Sequence, residues 1–599
     1  MLHRSGFLIH PNRAQIMAMT TKALAEHRGD DMLRKAFKGV GIFLFWISGI
    51  INVLALTGSF YMLQIYDRAL TSGSIPTLVA LSVLAIGLYL FQGGFDIIRS
   101  QLLVRVGARF DRMLAPIAHR VSVDMPRFGF STGEALERGR DVDTIRAFMG
   151  SQGPVALFDM PWVPLYLLFV YFLHPLLGAL TLGGAIVLTL LTVWTELKSR
   201  KLAAAAQQAH LARNAVADSN ARNADIIKAM GFSGRAVARF NEANQDHLTL
   251  QTRASDVVGT FGAFSRVLRM LLQSALLGLG AYLTIQGQMS AGAIIAVSVA
   301  SSRALAPIDM AIANWKGVVA ARQAFKRLRD TMVALAGVSK PLDLPAPSKS
   351  LKVDKITVAT PASGRVLLSE VAFELKAGQG LGVIGPSGGG KTTLVRALTG
   401  IWPALRGAIR LDDADLTQWD EDKIGQYVGY LPQDVALLDG TIVENITRLA
   451  PQHDARAIVA ATQAAGVHEM IVRLPEGYDT QLGPMGTALS AGQRQRIGLA
   501  RALYGDPFVV IMDEPNAFLD AEGEQALNNA IRQIRARGGI AVIIAHRPSI
   551  LAEVDMVAVI QNGRMTAFGP KDEIVAGQRQ ANANALKVVE PRVETGGTA

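Results

Sequence analysis

Cysteine is missing altogether from the 599 residues. Its absence excludes a disulfide framework, thiolate catalysis and cysteine-ligated zinc, and fits soluble parts that face a reducing compartment. Charge is scarce as well: Asp, Glu, Lys and Arg make up 18% of the chain against 50% hydrophobic residues, and the mean hydropathy is +0.27. So apolar a composition excludes an ordinary soluble enzyme and points to segments embedded in a bilayer. Acidic residues are the minority, 49 against 60 basic ones, for a formal charge of +11. An excess of that sign serves either nucleic acid or the cytoplasmic face of a membrane, and the placement of the cations decides between them. Residues 1–38 carry no apolar run of the signal-peptide type, so no cleavable signal is expected.

What is present is six apolar runs: 40–62, 75–95, 155–173, 176–194, 270–285 and 291–302. A helix needs roughly 20 apolar residues to cross a bilayer, so the six read as spans arranged in three hairpins. Lys and Arg collect at one set of their ends: Arg28, Arg34, Lys35 and Lys38 before span one; Arg99, Arg105, Arg109 and Arg112 after span two; Lys198, Arg200 and Lys201 after span four; Arg266 and Arg269 before span five; Arg303 and Lys316 after span six. The other side has little besides Arg68. By the positive-inside rule both termini and the long connections 99–151 and 196–269 are expected to be cytoplasmic in a multi-pass membrane protein. The basic balance is thereby accounted for by the lipid bilayer. The cations are not interleaved with aromatic residues as a nucleic-acid surface would need, so no nucleic-acid partner is expected. The connections are rich in Ala, Arg and Gln and poor in Gly and Pro, which predicts helices that prolong the spans into the cytosol. Asp159 lies two residues before Pro161 at the start of span three and reads as a helix N-cap, and Trp162 reads as an interfacial anchor.

After a Pro-rich stretch at 337–349 the pattern changes. Alternating runs at 351–358 and 371–375 read as strands, and a third, 381–384, enters Gly385-Pro-Ser-Gly-Gly-Gly-Lys391-Thr392. This is GxxxxGK[ST] between a strand and a helix. Gly385, Ser387, Gly388 and Gly390 let successive backbone N–H groups wrap phosphate oxygens. Lys391 neutralises the β and γ phosphates, Thr392 ligates Mg²⁺, and Thr393 continues the loop into the helix. Farther on, Phe508-Val-Val-Ile-Met-Asp513-Glu514 is an apolar strand ending in two carboxylates. Asp513 is placed to hold the Mg²⁺ shell and Glu514 to orient or deprotonate the water that attacks the γ-phosphate.

Between these motifs lies Leu489-Ser490-Ala491-Gly492-Gln493, which resembles the LSGGQ signature of ABC transporter ATPases. The resemblance extends to Gln433 in Tyr430-Leu-Pro-Gln433, to Asp520 in Asn516-Ala-Phe-Leu-Asp520, and to His546 in Ala545-His546-Arg547, similar to the family's Q-loop, D-loop and switch histidine. It implies that Ser490, Gly492 and Gln493 contact the γ-phosphate of ATP bound to a second subunit, that Gln433 senses Mg²⁺, and that His546 touches the γ-phosphate. It therefore implies a homodimer with two composite ATP sites. Val358, Ala359 and Thr360 stand where the family usually has an aromatic ring for adenine, so either a nearby apolar residue covers the base or the affinity for nucleotide is modest.

The expected architecture is an α-helical six-span transmembrane domain (39–330, after an N-terminal segment 1–38), a linker (331–350), an α/β P-loop nucleotide-binding domain of ABC type (351–577), and a polar tail (578–599). Six spans ahead of one ATPase resemble an exporter half-transporter. The segments Phe158-Asp-Met-Pro-Trp-Val-Pro-Leu-Tyr166, His174-Pro-Leu-Leu-Gly178 and Ser301-Ser-Arg-Ala-Leu-Ala-Pro307 resemble the ATPase and permease of bacterial type I secretion, in its protease- and RTX-exporting branch. That resemblance implies export of an unfolded protein substrate with a C-terminal signal, through a periplasmic membrane-fusion adaptor and an outer-membrane channel. The alternative is a lipid or drug exporter. With 38 residues before span one and no cysteine, no leader-peptidase domain is expected.

Overall fold

The computed structural model describes residues 39–335, 344–361, 363–483, 486, 489–545, 548–574 and 576. The segment 1–38, its four cations, part of the linker, the tail and His546 lie outside the described residues. The chain divides into two compact units near residue 337.

The first unit is helical: α1 (Val40–Leu54), α2 (Thr57–Gln64), α3 (Ile75–Asp124), α4 (Thr132–Met149), α5 (Gln152–Asp159), α6 (Val163–Leu173), α7 (Pro175–Arg222), α8 (Ser233–Ile285), α9 (Ala291–Ala313) and α10 (Trp315–Leu335). Among the described residues six helical stretches are long and apolar enough to cross a membrane, and each contains one expected span. In hydrocarbon a backbone N–H has no water to bond, so the helix is the way each span satisfies itself. Three of them continue well past the apolar run. α3, α7 and α8 hold 50, 48 and 53 residues, on the order of 75 Å each at 1.5 Å per residue.

Their ends are set by local chemistry. Ser74 Oγ accepts from Thr77 N ahead of α3, with Pro76 in its first turn. Ser131 and Glu134 form a capping box that starts α4. His174 is extended (φ −160°, ψ 128°) and its Nδ1 accepts from Leu176 N, which makes the tight turn between α6 and α7. At the head of α9, Ser290 Oγ accepts from Ala293 N and donates to Asp67 Oδ2, while Gly292 N donates to Asp67 Oδ1 at 3.1 Å.

One expectation is corrected inside this bundle, that of Asp159 as an N-cap, and the places of Arg99, Trp162 and Arg303 are fixed. Asp159 caps no helix: its Oδ1 accepts from Arg99 at 2.8 Å and from Asn52 at 2.9 Å, and Tyr166 donates to Asn52 Oδ1 at 3.0 Å. Arg99, expected among the span-end cations, is 6% exposed and also binds Asp96 at 2.6 Å. The ion pair wins over the cap because a carboxylate in an apolar interior needs a full countercharge. Trp162 packs inward on Phe45, with ring centroids 5.0 Å apart, and over Gly49, where a Cβ would meet its ring at 2.4 Å. Arg303, expected just past the apolar run of span six, lies within α9, which runs on to Ala313, about 18 Å from the helix start.

The second unit is α/β. β1 (Ser350–Ala359), β2 (Val366–Lys376), β4 (Arg406–Leu411) and β5 (Ala414–Asp415) form an antiparallel sheet in the order β2-β1-β4-β5. A six-stranded sheet runs β10-β9-β3-β8-β7-β6, from β3 (Gly380–Ile384), β6 (Val428–Leu431), β7 (Val509–Asp513), β8 (Ile540–Ile544), β9 (Met556–Gln561) and β10 (Arg564–Pro570). β9, β3, β8, β7 and β6 are mutually parallel. Buried on both faces, they read as unbroken apolar runs. Along β7 and β8 the faces alternate: Val509, Ile511, Ile540, Val542 and Ile544 enter one core with α11 (Lys391–Leu398), while Val510, Met512, Ala541 and Ile543 enter a second with α12 (Ala491–Leu503) and α13 (Ala521–Ala536). α11 and α12 thus cover opposite faces of one sheet.

Replacing Arg99 by Gln leaves buried Asp159 uncompensated, and removing one partner of such a pair costs about 3–5 kcal/mol. The purified protein in detergent is expected to show a clearly lower Tm for R99Q, and recovery in the paired change Arg99→Met with Asp159→Leu. Equal loss in the single and paired variants would mean that the pair is not what holds the bundle.

Candidate nucleotide site

The site grows from the C-terminal edge of the parallel sheet, where open α/β folds bind ligands. β3 delivers the loop that begins at Gly385, and backbone closeness dictates its glycines. A Cβ on Gly385, at φ +152°, would lie 2.0 Å from the Ile560 carbonyl oxygen, and one on Gly390, at φ +109°, 2.8 Å from Leu368. At Gly388 a Cβ would meet nothing within 4 Å, so the loop is pressed against the domain at its ends and open at its crest. Ser387 is exposed at that crest, and Thr393 is buried in the first turn of α11. Lys391, 6% exposed, bends back and donates to the carbonyls of Gly385 (2.9 Å) and Pro386 (3.0 Å). The ammonium is held over the loop, where an anion would take over part of its bonding.

β7 sits one strand away, across β8. Asp513 at its end is 1% exposed, and among the described residues its Oδ1 has no hydrogen-bond partner. Burial pushes its carboxyl above the ordinary value of 3.8, while a hydrogen bond from Thr392 and the charge of Lys391 pull the other way. A buried carboxylate oxygen left without a donor, beside a threonine hydroxyl, suits a hard divalent cation. Glu514 follows at φ +48°, a left-handed conformation costly for a residue with a side chain. Its N–H donates to Ile544 O of β8 at 3.2 Å, and its Oε2 accepts from Gln433 Nε2 at 3.1 Å. The fold thus brings Lys391, Thr392, Asp513, Glu514 and Gln433 to one edge.

The signature residues are elsewhere. Ser490 caps α12 in a capping box with Gln493: Ser490 N donates to Gln493 Oε1 at 2.9 Å, and Gln493 N to Ser490 Oγ at 3.3 Å. The side chain of Gln493 is engaged in that cap, which the spacing Ser-x-x-Gln spells out. Gly492 lies under the Phe518 carbonyl, 2.9 Å from where a Cβ would be. Asp520 accepts from Arg496 at 2.5 Å and from Gly523 N at 2.9 Å, and these bonds hold its carboxyl below the usual range. Gln495, which the motif reading did not single out, is 1% exposed and donates to Pro515 O at 3.1 Å, tying α12 to the segment after β7. Among the described residues no hydrogen bond joins Ser490 or Gly492 to the phosphate loop of their own chain.

At the expected adenine edge Val358 and Ala359 are buried, and the Thr360 hydroxyl is bonded to Ser363 at 2.5 Å. The apolar surface exposed there belongs to Val366, paired with Ala359 and 48% accessible.

A phosphate loop and a carboxylate strand end, carried on the same chain as six helices of membrane-crossing length, define an ATPase joined to a transport bundle. The chain belongs to the ABC transporter family: residues 39–306 match its transmembrane region and residues 368–517 its ABC transporter domain. The chain is 49% identical to the type I secretion system ATP-binding protein PrsD of Rhizobium meliloti, over 93% of this chain and 96% of that protein. It is 26% identical to the cyclolysin secretion/processing ATP-binding protein CyaB of Bordetella pertussis, over 91% of this chain and 77% of that one, and 26% identical to the alpha-hemolysin translocation ATP-binding protein HlyB of Escherichia coli O157:H7, over 88% and 76%. Among solved structures, a bacterial Atm1-family ABC exporter with ATP bound shares the fold, with a TM-score of 0.79 at 23% identity, over 93% of this chain and 99% of that one.

Because burial raises the Asp513 pKa, folding favours its protonated form more than the unfolded chain does. Its ionisation therefore costs stability as pH rises from about 3.8 through the raised value, and the cost persists above it. Asp513→Asn is expected to raise the Tm of the nucleotide-free protein at pH 7.5, to lose that advantage at acidic pH, and to abolish the extra stabilisation that Mg²⁺ adds to ATP. A lower Tm at pH 7.5 would contradict this.

Proposed function

We propose that this chain is the ATPase and permease of a type I secretion system, which drives an unfolded protein with a C-terminal signal across the bacterial inner membrane. The observation that carries the reading is the likeness along almost the whole chain to a type I secretion ATP-binding protein, against a lipid or drug exporter. On this reading a periplasmic adaptor and an outer-membrane channel complete the path, and the termini and ATPase are cytoplasmic.

The chemistry follows from the site. Loop N–H groups and Lys391 bind and neutralise the ATP phosphates, and Val366 gives adenine an apolar cover in place of an aromatic ring. Thr392, Asp513 and Gln433 would hold Mg²⁺, which when bound offsets charge on the β and γ phosphates. Glu514, steadied by Gln433, orients the attacking water and takes its proton, and His546 contacts the γ-phosphate. Ser490, Gly492 and Gln493 lie on α12, on the sheet face opposite α11, so they serve the ATP of a second copy. Pairing two copies completes two sites, with Asp520 holding the approach between them. Closure, passed through the long cytoplasmic helices, reshapes the path in the bundle, and hydrolysis resets it.

Glu514→Gln is expected to lower the ATPase rate by about 10²–10⁴-fold, the usual worth of a positioned general base, with ATP binding retained. Steady-state hydrolysis near the wild-type rate would remove Glu514 from that role. Secretion itself is tested by adding C-terminal fragments of proteins encoded beside this gene to the reconstituted chain with Mg²⁺-ATP. A rate change lost on trimming the last residues supports the reading. Response only to lipids or small hydrophobic compounds would replace it with the lipid or drug exporter.

A further inference from the structure

Two of the three segments that resemble the secretion branch meet at a place the ATPase chemistry does not use. A cavity of about 550 Å³ within the helical unit has a wall made by Asn52, Asp159 and Tyr166, which are joined by hydrogen bonds, and a wall made by Arg303 and Pro307 of α9. Its size is that of a ligand site, in the range of about 300–1,000 Å³. The first wall is electrostatically closed: Asp159 is held by Arg99 and Asn52, and Arg99 also by Asp96.

The second wall is open. Arg303 is exposed to the cavity and, among the described residues, makes no ion pair or hydrogen bond. It stands within a helix of membrane-crossing length, where an ionisable side chain is costly and faces a partner or a watery path. Four residues on, Pro307 lies inside the same helix. Having no N–H, it leaves the Arg303 carbonyl without its helical donor, an arrangement tolerated at membrane depth where backbone lines a cavity. One residue thus presents an unpaired guanidinium beside a carbonyl freed from the helix ladder.

We propose that Arg303 is a carboxylate-binding station in the transport path, which holds a carboxylate of the exported polypeptide while the freed carbonyl accepts an N–H of its backbone. A guanidinium pairs a carboxylate through two parallel N–H donors, and Arg99 is already ion-paired to Asp159 and Asp96. The inference rests on the protein-export reading for the identity of the ligand, but the site can be tested apart from it.

The test uses the full chain in phosphatidylcholine nanodiscs, so that no anionic headgroup competes, and four dansylated tetrapeptides read by fluorescence anisotropy. Ser-Asp-Phe-Val and Ser-Asn-Phe-Val are each made as the free acid and the C-terminal amide. Peptides with a carboxylate are expected to bind at least 10-fold more tightly than the neutral Ser-Asn-Phe-Val amide, about 1.4 kcal/mol. Arg303→Gln should erase that preference and Arg303→Lys keep it in part. The Asp-amide and Asn-acid pair tells whether the carboxylate comes from a side chain or from the C-terminus.

A second readout uses the absence of cysteine: Ala306→Cys places a single thiol at the cavity. With Arg303 present it is expected to react faster with an anionic than with a cationic methanethiosulfonate, and R303Q should reverse the order. Equal binding of acidic and neutral peptides, or an anion preference that survives in R303Q by either readout, overturns the station. If that occurs while C-terminal fragments still change the ATPase rate, only this inference fails. An Arg303-dependent preference with no response to any fragment keeps the station and removes the secretion reading.

Discussion

A peptide group inside hydrocarbon has no water to bond, and every span of this chain is built around that constraint. Each run closes its own N–H to C=O ladder, and the exceptions lie at particular places. One is the π turn Ile65–Ala69, whose Asp67 secures the head of α9. Another is Pro307, at the cavity wall. Because a ladder once begun costs little to extend, the helices do not stop where the apolar residues stop. α3, α7 and α8 carry through into polar sequence as single rods, and a rod transmits a displacement along its length where a loop would absorb it.

Side chains in the same environment obey the same rule. Arg99, Asp159, Asn52, Ser48 and Tyr166 are buried together, each bonded to another member of the set. Against that closed cluster Arg303 stands out, because among the described residues it makes no ion pair or hydrogen bond. The contrast separates a polar group that holds the bundle together from one available to a ligand, although both are of the same residue type.

The ATPase unit repeats the contrast with carboxylates. Asp520 accepts from Arg496 and from the backbone of Gly523 and anchors its loop; Asp513, at the end of a fully buried strand, keeps one oxygen without a hydrogen-bond partner among the described residues. Natural interiors rarely leave such an atom orphaned, and here it lies beside Thr392 and a loop of backbone donors at the ligand edge of the sheet. The strained backbone at Glu514 and its bond to Gln433 fall at the same edge, so the departures from easy packing gather where a charged phosphate must be met.

Much of this was legible along the chain. Six runs of apolar residues read as six spans because a bilayer demands length, a quantity visible in one dimension. The phosphate loop was legible because its glycines answer to a local need, backbone approach at Gly385 and Gly390. What the chain could not disclose is which distant groups meet. Arg99 and Arg303 looked alike, two cations near span ends, until packing set one against Asp159 and left the other on a cavity. Asp159 looked like a cap because its neighbours in sequence are Pro161 and a helix start, whereas its partners are 60 and 107 residues away. That α11 and α12 cover opposite faces of one sheet, and so divide the phosphate loop from the signature, depends on strand order. The residues by themselves determined the kinds of chemistry this protein can do; tertiary structure alone decided which of its charges are spent and which are free, because a charge is satisfied by what lies near it in space and not along the chain.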